Sequence, residues 1–552
     1  MTLSKTKVNF TMKKIFTLLL LLIVGYVAFW YFDSSNFEKE VQNYLKSQQI
    51  TFSKTSVRGF PLNYKVLVSG LKNENSTDKS FTVESLENFI FSKKIFSRKM
   101  AIQMDGKISF SYPEFKDHEH IPSHGTISGK LIFKDLPRLE SLNELFTDLF
   151  NALTTSVTKQ FSRKIIVDDF SYYIDEKEPL ITWDKLFLSL RKTSAVGGVY
   201  RTEADIDLVN FKTSTKKFWD QLWSETTKKA AIDQDISLWL QESMDLFFDE
   251  RKDLSLHFAF TLPDDFSLHE VTDDLPSLIN KVVDAEAKIH FASLGATINI
   301  DTQVDSVIID ENTKQVGYDL HYAANYSDHY WQVIDAWIKK TAELKSENKE
   351  MEFPIVWAKT WTQFNPHWKN DTFDYGFLTD VDRKTSNIKS AALKQFKIQV
   401  DDMSIEIGTA DEVIDLTHIG TVGDQKIPIA IHQYKRLFGG IAEFFVKFFK
   451  EAKAADSELK APLQPKDNLP ANLIEFVKAL SDEPDQDSPN VTITVQLGES
   501  GPKKVGTLSV IKLIKQAQNF YEKSFDIEAP KAEVPKTKAQ ELAPLPPAPQ
   551  PK

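Results

Sequence analysis

Alternating apolar and polar residues recur along most of the chain, and this pattern predicts β-strands because successive side chains of a strand point to opposite faces. The clearest example follows the turn Arg58-Gly59-Phe60-Pro61, after which Leu62, Tyr64, Val66 and Val68 are apolar at every second position. Strands are also predicted over residues 50–57, 81–91, 101–110, 126–133, 165–174, 180–190, 199–209, 254–262, 286–292, 296–301, 304–309, 315–323, 396–408, 413–419 and 427–432. The first of these runs and the run after the turn together predict a hairpin.

Helical periodicity occurs between these runs. One apolar stripe consists of Leu142, Leu145, Phe146, Leu149, Phe150, Leu153 and Val157, and a second of Ile441, Phe444, Phe445, Phe448 and Phe449. Further helices are predicted over residues 214–225, 235–248 and 328–345. Short links such as Ser293-Leu294-Gly295 force neighbouring strands to be antiparallel. The predicted fold class is therefore α+β, with antiparallel, meander-rich extended sheets covered by several long amphipathic helices.

An apolar segment near the amino terminus predicts one transmembrane helix. Residues Ile15–Phe32 contain no charge over 18 positions, and a helix of that length spans about 27 Å, close to the hydrocarbon thickness of a bilayer. Lys5, Lys7, Lys13 and Lys14 precede the segment, and acidic residues follow it. The positive-inside rule therefore predicts a cytoplasmic tail at 1–14, a single-pass anchor, and export of the rest of the chain.

A cleaved signal peptide is the alternative interpretation of this segment. Cleavage requires small residues at its site, whereas the apolar run ends in the bulky rings of Phe29-Trp30-Tyr31-Phe32. Such rings are typical of a membrane interface and favour an uncleaved anchor.

A separate short helix is predicted just after the anchor. Ser35-x-x-Glu38 has the sequence of a capping box, in which both side chains bond to backbone N–H groups at the start of a helix. Phe37, Val41 and Leu45 then lie on one apolar face. The rest of the chain is assigned to a membrane-proximal α+β region (33–210), a middle α+β region (211–350), a C-terminal α+β region (351–528) and a disordered Pro-rich tail (529–552).

Composition excludes several classes of function. The 552 residues include 67 Lys and Arg against 78 Asp and Glu, and the net charge of −11 argues against binding to nucleic acid. The chain has no cysteine, which excludes thiol catalysis, disulfides and cysteine-ligated metals. The familiar nucleotide-binding and hydrolase motifs are also absent from the sequence. We therefore expect a protein that is not an enzyme and holds no cofactor.

One cluster of histidines is a candidate metal site. Asp117-His118-Glu119-His120 is followed by His124, and His118, His120 and His124 are predicted as ligands for Zn²⁺ or Cu²⁺. The alternative is a polar loop between two strands, since such loops collect His, Asp and Glu because they face water.

Aromatic residues are abundant, with 40 Phe among them. The middle of the chain also holds Trp219, Trp223, Trp239, Trp331, Trp337, Trp357, Trp361 and Trp368. These rings either line an apolar groove for an acyl chain or pack a helix on a sheet, and the second interpretation is favoured. Helix faces as wide as the stripe from Ile441 to Phe449 must be covered by sheet or leave a slot for a ligand.

The layout of the chain resembles bacterial membrane-anchored periplasmic proteins of the AsmA-like and YdgA-like families, and a related uncharacterised family with a Gly-Phe-Pro turn after the anchor. The matching features are Met12-Lys13-Lys14 before the anchor, the short helix after it, the turn Arg58-Gly59-Phe60-Pro61 and the Pro-rich end. The resemblance implies a role in the cell envelope, with lipid handling or outer-membrane assembly for the AsmA-like branch.

Together these features predict a single-pass protein of the bacterial inner membrane, anchored through Ile15–Phe32, with most of its chain in the periplasm. We expect it to serve cell-envelope maintenance and to bind lipid or an envelope protein through a β-rich groove. The alternative is a periplasmic metal-binding protein or enzyme centred on His118, His120 and His124.

Overall fold

The structure is a computed structural model that describes residues 4–48, 50–73, 82–95, 97, 99–111, 124–136, 161–173, 179–194, 199–214, 239–240, 242–246, 250–263, 283–344, 349–408, 413–417, 425–455, 463–498 and 501–527; the side chains of residues 4–23 and of some strand residues lie outside that description. Within these limits, the protein is mostly one large antiparallel sheet accompanied by a few helices. The antiparallel, meander-rich sheet predicted from the alternating pattern is confirmed.

The described strands have the following bounds: β1 (Ile50–Thr51), β2 (Lys54–Arg58), β3 (Asn63–Asn73), β4 (Thr82–Lys94), β5 (Met100–Ser111), β6 (His124–Leu136), β7 (Phe161–Tyr173), β8 (Ile181–Ser194), β9 (Val199–Thr213), β10 (Lys252–Pro263), β11 (Asp284–Ser293), β12 (Ala296–Ile308), β13 (Thr313–Tyr326), β14 (Asn370–Asp382), β15 (Ile388–Val400), β16 (Met403–Ile407), β17 (Ile414–Asp415), β18 (Gln425–His432), β19 (Leu463–Pro465), β20 (Val491–Gly498), β21 (Gly501–Val505), β22 (Leu508–Ser509) and β23 (Phe525–Ile527). The helices are α1 (Ser4–Ser47), α2 (Asp328–Glu343), α3 (Lys349–Phe364), α4 (Tyr434–Ala455), α5 (Leu469–Leu480) and α6 (Val510–Ser524).

Sequential pairing builds the sheet. From β2 to β16, each described strand pairs antiparallel with the next one along the chain. β18 then pairs with β16 and β20 with β18, followed by β21 and β22. Tight turns connect several pairs: Leu294 and Gly295, between β11 and β12, have φ of 56° and 78°, as a two-residue type I′ hairpin requires.

The carboxyl-terminal part of α1 packs on the first strands of the sheet. Phe37, Val41 and Leu45 are at most 3% exposed and form one buried cluster with β3, β4, β5 and β6. The hairpin predicted around residues 58–61 is confirmed, since β2 and β3 pair across this turn.

The remaining helices pack at other places. α2 and α3 share a cluster built around Trp331, Ile338 and Ala358. α4 and α5 pack on the last strands through Tyr434 and Val477, and α6 packs beside α5. The helices therefore contact one another at least as much as they contact the sheet.

Several details of the predicted fold are wrong. The described helices do not form long amphipathic covers over the sheet, because they pack largely on one another. Ser35 does not cap a new helix, because α1 is continuous and Glu38 accepts a hydrogen bond from Thr55 Oγ1 at 2.6 Å instead. Two strand assignments also differ: the predicted strands 296–301 and 304–309 are a single strand, β12, and the predicted strand 396–408 is divided between β15 and β16 by a turn.

Several predictions lie partly or wholly outside the described residues. In the part of the chain that the structure describes, no helix combines the length and the apolar character needed to cross a membrane. Residues 15–23 of the predicted anchor lie outside the described side chains, as do the predicted helices at 142–157 and 214–225 and the tail 529–552. The anchor and the tail stay predictions.

Strand pairing crosses both predicted boundaries between the three predicted α+β regions. β9 pairs with β10 across the boundary at 210, and β13 pairs with β14 across the boundary at 350. The division into three regions stays a prediction.

Candidate functional site

The sheet separates an apolar face from a polar face. On β10, Leu256 and Phe258 alternate with Ser255 and His257, so the two pairs point to opposite sides. Antiparallel register preserves this division from strand to strand, because directly paired residues point to the same side. We call the side that carries Leu256 the apolar face and the opposite side the polar face.

One line of directly paired residues on the apolar face is apolar in every strand that it crosses. This line, which we call the central row, consists of Val57, Val66, Phe91, Ile102, Phe133, Ile165, Leu188, Ile206, Leu256, Ile289, Ile300, Tyr322, Phe373, Ile398, Ile405, Ile431 and Val491. At about 4.8 Å between strands, the row extends roughly 77 Å along the sheet. An apolar surface therefore runs from the first strands to the last helical cluster.

Helices bury the two ends of the central row. Near its start, Val66 and Ile102 are fully buried in the cluster that α1 completes. Near its end, Ile431 is 4% exposed in the cluster that α4 and α5 complete. Both ends are therefore ordinary hydrophobic core.

The middle of the central row is more accessible. Ile206, Leu256, Ile289 and Ile300 are half-buried, and Ile398 is 42% exposed. These residues belong to none of the buried clusters formed by the described residues. Apolar surface that stays partly accessible and contiguous over several strands marks a binding site more often than scattered apolar residues do.

A small apolar cavity lies where the cover from α1 ends. It has a volume of about 150 Å³, spans β5 to β8, and is lined chiefly by Met104, Leu131, Val167, Phe170, Trp183 and the facing pair Gly106 and Gly129. The glycine pair leaves a gap in the apolar face because neither residue has a side chain. An apolar cavity of this size accepts a small apolar group in place of water.

Phe170 and Trp183 form one wall of this cavity. Their rings stack with centroids 3.7 Å apart. The Trp183 Nε1–H is buried and meets no acceptor among the described residues. The cavity therefore offers apolar surface together with one hydrogen-bond donor.

The polar face carries paired charges above the same strands. Arg201 contacts Glu203 at 3.0 Å and Asp284 at 2.7 Å, and Lys288 contacts Glu286 at 2.5 Å. Hydrogen bonding from Arg191, reinforced by Arg201 against the effect of burial, holds the pKa of Glu203 below its usual range. This face is built to meet water, which leaves the opposite face as the apolar one.

Tryptophans beside the apolar face pack as core. Trp331 is 6% exposed, its Nε1 donates to the carbonyl oxygen of Trp368 at 2.8 Å, and its ring lies against Trp361 and Trp368. The core-packing interpretation is confirmed for these rings. Trp219 and Trp223 lie outside the described residues.

A buried carboxyl group lies on the apolar face near this cluster. Asp371 pairs with Ala324 in the row next to the central row, and its Oδ1 is buried without a hydrogen-bond partner among the described residues. Burial raises the pKa of Asp371, against a hydrogen bond from Tyr326 that lowers it. Desolvation also raises the pKa of Tyr326. The site thus holds a carboxyl group whose charged form is disfavoured.

The side chains of the three predicted metal ligands all lie outside the described part of the chain. His118 and His120 lie outside the described residues, and so does the side chain of His124, the first residue of β6. Among the residues that are described, no group of three or more His, Asp or Glu side chains could hold a metal ion. The metal site stays a prediction.

Comparison with protein-family models, curated proteins and solved structures finds no match. The resemblance to AsmA-like and YdgA-like proteins therefore rests on the layout of the sequence.

The central row was missed by the sequence reasoning, although each strand carries its signal. Leu254, Leu256, Phe258 and Phe260 alternate clearly on β10. Alternation within a strand does not determine its register with the neighbouring strands. The central row exists because each of sixteen successive pairings places an apolar residue opposite an apolar residue.

Proposed function

We propose that this protein is a non-enzymatic, membrane-anchored envelope protein that binds the acyl chains of phospholipids along the middle of its apolar face. The central row is the observation that carries the proposal. A sheet built only for stability needs its apolar face covered, as the two ends of the row are. The accessible stretch from Ile206 to Ile398 supports a role in holding an apolar ligand.

The energetics favour a long apolar chain over a small polar ligand. Each methylene buried contributes about 0.8 kcal/mol, so ten methylenes give about 8 kcal/mol before the cost of ordering the chain. The continuous row offers such contact without a polar interruption. The opposite polar face keeps the same strands in contact with water.

Anchoring in the bacterial inner membrane is part of this proposal. Ile15–Phe32 is uncharged, lies within the continuous helix α1, and follows Lys13 and Lys14. These features support an uncleaved anchor with the sheet in the periplasm. A membrane anchor would keep the sheet near a supply of phospholipid.

Site-specific crosslinking tests the acyl-chain proposal. A benzophenone amino acid replaces Leu256 on the apolar face of the full chain in bacterial membranes, and a matched variant carries it at Ser255 on the polar face of the same strand. We expect phospholipid adducts at position 256 after irradiation, detected by mass spectrometry, and few at 255. Equal yields at the two positions, or adducts at neither, would contradict the proposal.

A further inference from the structure

The turn between β2 and β3 presents two exposed apolar side chains beside α1. Phe60 is 51% exposed and Leu62 is 69% exposed. The Tyr26 hydroxyl donates to the carbonyl oxygen of Pro61 at 2.5 Å, and the Trp30 ring meets Phe60 edge to face with centroids 5.3 Å apart. The turn is therefore held against α1 through the Pro61 carbonyl group and the Phe60 ring.

The contact with Tyr26 places the turn beside the predicted anchor. Tyr26 precedes Phe32, the last residue of the uncharged segment, by six positions, which is about 9 Å along a helix. Val27 and Phe29, on α1 near the turn, are each 43% exposed. The turn and the part of α1 from Tyr26 to Trp30 thus form one continuous apolar surface.

Basic side chains lie on the strands beside this apolar surface. Arg58 and Lys65 are directly paired beside the turn, Lys94 pairs with the first residue of β3, and Lys99 precedes β5; all four are exposed. Neither the β2–β3 hairpin nor the segment from Lys94 to Lys99 contains an acidic residue. Apolar residues flanked by these cations match the boundary between acyl chains and anionic headgroups.

We propose that the turn Gly59–Leu62 inserts into the headgroup region of the bilayer that holds α1, with Phe60 and Leu62 at the acyl boundary and the flanking cations on anionic lipid phosphates. This inference rests on the proposed anchoring of α1 and adds a second point of attachment. Two attachments fix the orientation of the first strands relative to the membrane, which a single helix does not.

Depth-dependent fluorescence quenching tests the insertion. The chain has no native cysteine, so Leu62→Cys in the full chain accepts a single environment-sensitive fluorophore. The labelled protein is reconstituted into phosphatidylcholine vesicles with or without phosphatidylglycerol, and with quenchers on the acyl chains. We expect blue-shifted emission and quenching about threefold stronger than for Val307→Cys, an apolar position that is 61% exposed in a different hairpin.

The outcomes separate this inference from the proposed function. A chain that floats with the vesicles, but whose Leu62 label emits as in water and is not quenched, overturns the insertion and leaves the anchor standing. A chain that does not float overturns both the anchor and the insertion, whereas crosslinking at Leu256 is an independent result.

A variant that removes two of the cations tests whether these side chains contact the lipid phosphates. Arg58→Gln with Lys94→Gln leaves Phe60 and Leu62 in place, so we expect weaker quenching of the Leu62 label in phosphatidylglycerol vesicles and no change in phosphatidylcholine alone. Equal quenching of the parent protein in both lipids would overturn the role of the cations.

Discussion

The start of the central row and its middle share one sequence pattern but differ in what covers them. Val66 and Ile102 lie under α1 and are fully buried, whereas Leu256 and Ile289 are half-buried. Alternation determines which side of a strand is apolar, and a second element decides whether that side becomes core. Among the described residues, the fully buried part of the row is the part that packs against a helix.

Truncating one isoleucine at the start of the central row and one in its middle should give the largest difference in stability between the two regions. Ile102→Ala removes a fully buried side chain and should reduce the free energy of unfolding by about 2–5 kcal/mol. Ile300→Ala, in the same row but half-buried, should cost less than about 2 kcal/mol. Urea unfolding of the full chain in detergent, followed by tryptophan fluorescence, measures both. Equal losses would show that the middle is packed as tightly as the start.

Lys314 is a buried cation on the apolar face of β13. It is 5% exposed, and burial, with added repulsion from Arg383, lowers its pKa to about 8 from an ordinary value of 10.5. Between about pH 8 and 10.5, the unfolded chain binds this proton and the folded chain does not, so stability rises with pH across that window.

Lys314→Met should therefore increase the free energy of unfolding at pH 7, by at most about 3 kcal/mol, and remove this rise. The measurement is urea unfolding at a series of pH values. An unchanged pH profile in the variant would contradict the lowered pKa of this side chain.

A charge placed in the middle of the central row should impair lipid binding. With a benzophenone amino acid at Ile300, Leu256→Asp should reduce the yield of phospholipid adduct about tenfold, since an unpaired carboxylate against an acyl chain costs well over 1 kcal/mol. Ser255→Asp, on the polar face, is the matched control and should have little effect. A similar loss in both variants would indicate general damage to the strand.

Replacing Asp371 should produce the smallest change in stability among these variants. Because burial raises its pKa above the ordinary 3.8, the folded state holds the proton longer, and stability falls as pH increases from about 3.8 through the raised value. Asp371→Asn should remove this decline and stabilise the protein at pH 7, by less than Lys314→Met does. Thermal unfolding between pH 3 and 7 is the measurement; an identical decline in the variant would assign it to another group.

Local signals predicted several elements well. The helix predicted over residues 328–345 is α2, and in the structure Ser327 caps it by accepting a hydrogen bond from the backbone N–H of Tyr330 at 3.3 Å. The turn at Gly59–Pro61 separates two strongly alternating runs, so its hairpin followed directly. These features depend on residues close together in sequence.

Other elements were missed for physical reasons. α3 contains Pro354, which weakens its helical pattern, and β15 has an extra residue, Lys394, opposite the step from Gly376 to Phe377 of β14, which interrupts the alternation of β15. The sequence argument for a groove also began from the wrong element, the apolar stripe of α4. There Phe444 packs on Phe364, with centroids 5.7 Å apart, while Phe445 points outward and is 50% exposed.

The candidate site could not be derived at all from single strands. A shift of one residue in any pairing would move a strand's apolar residues to the other face and end the central row there. Such registers depend on turns and bulges throughout the sheet, including the irregular pairing near Gly129. The sequence therefore predicted an apolar groove only in general terms, and the central row that the proposal uses is defined by the pairing alone.

The order of the strands has a consequence for how the chain reaches its native state. Because nearly every described strand pairs with its predecessor, no early strand waits for a distant partner. Loop closure is the main entropic barrier to forming sheets, and it is small when partners are adjacent along the chain. The sheet is thus suited to assembly from its amino-terminal end, one strand at a time, as the polypeptide is synthesised. Folding would begin with the hairpin that α1 covers and proceed strand by strand toward the carboxyl terminus.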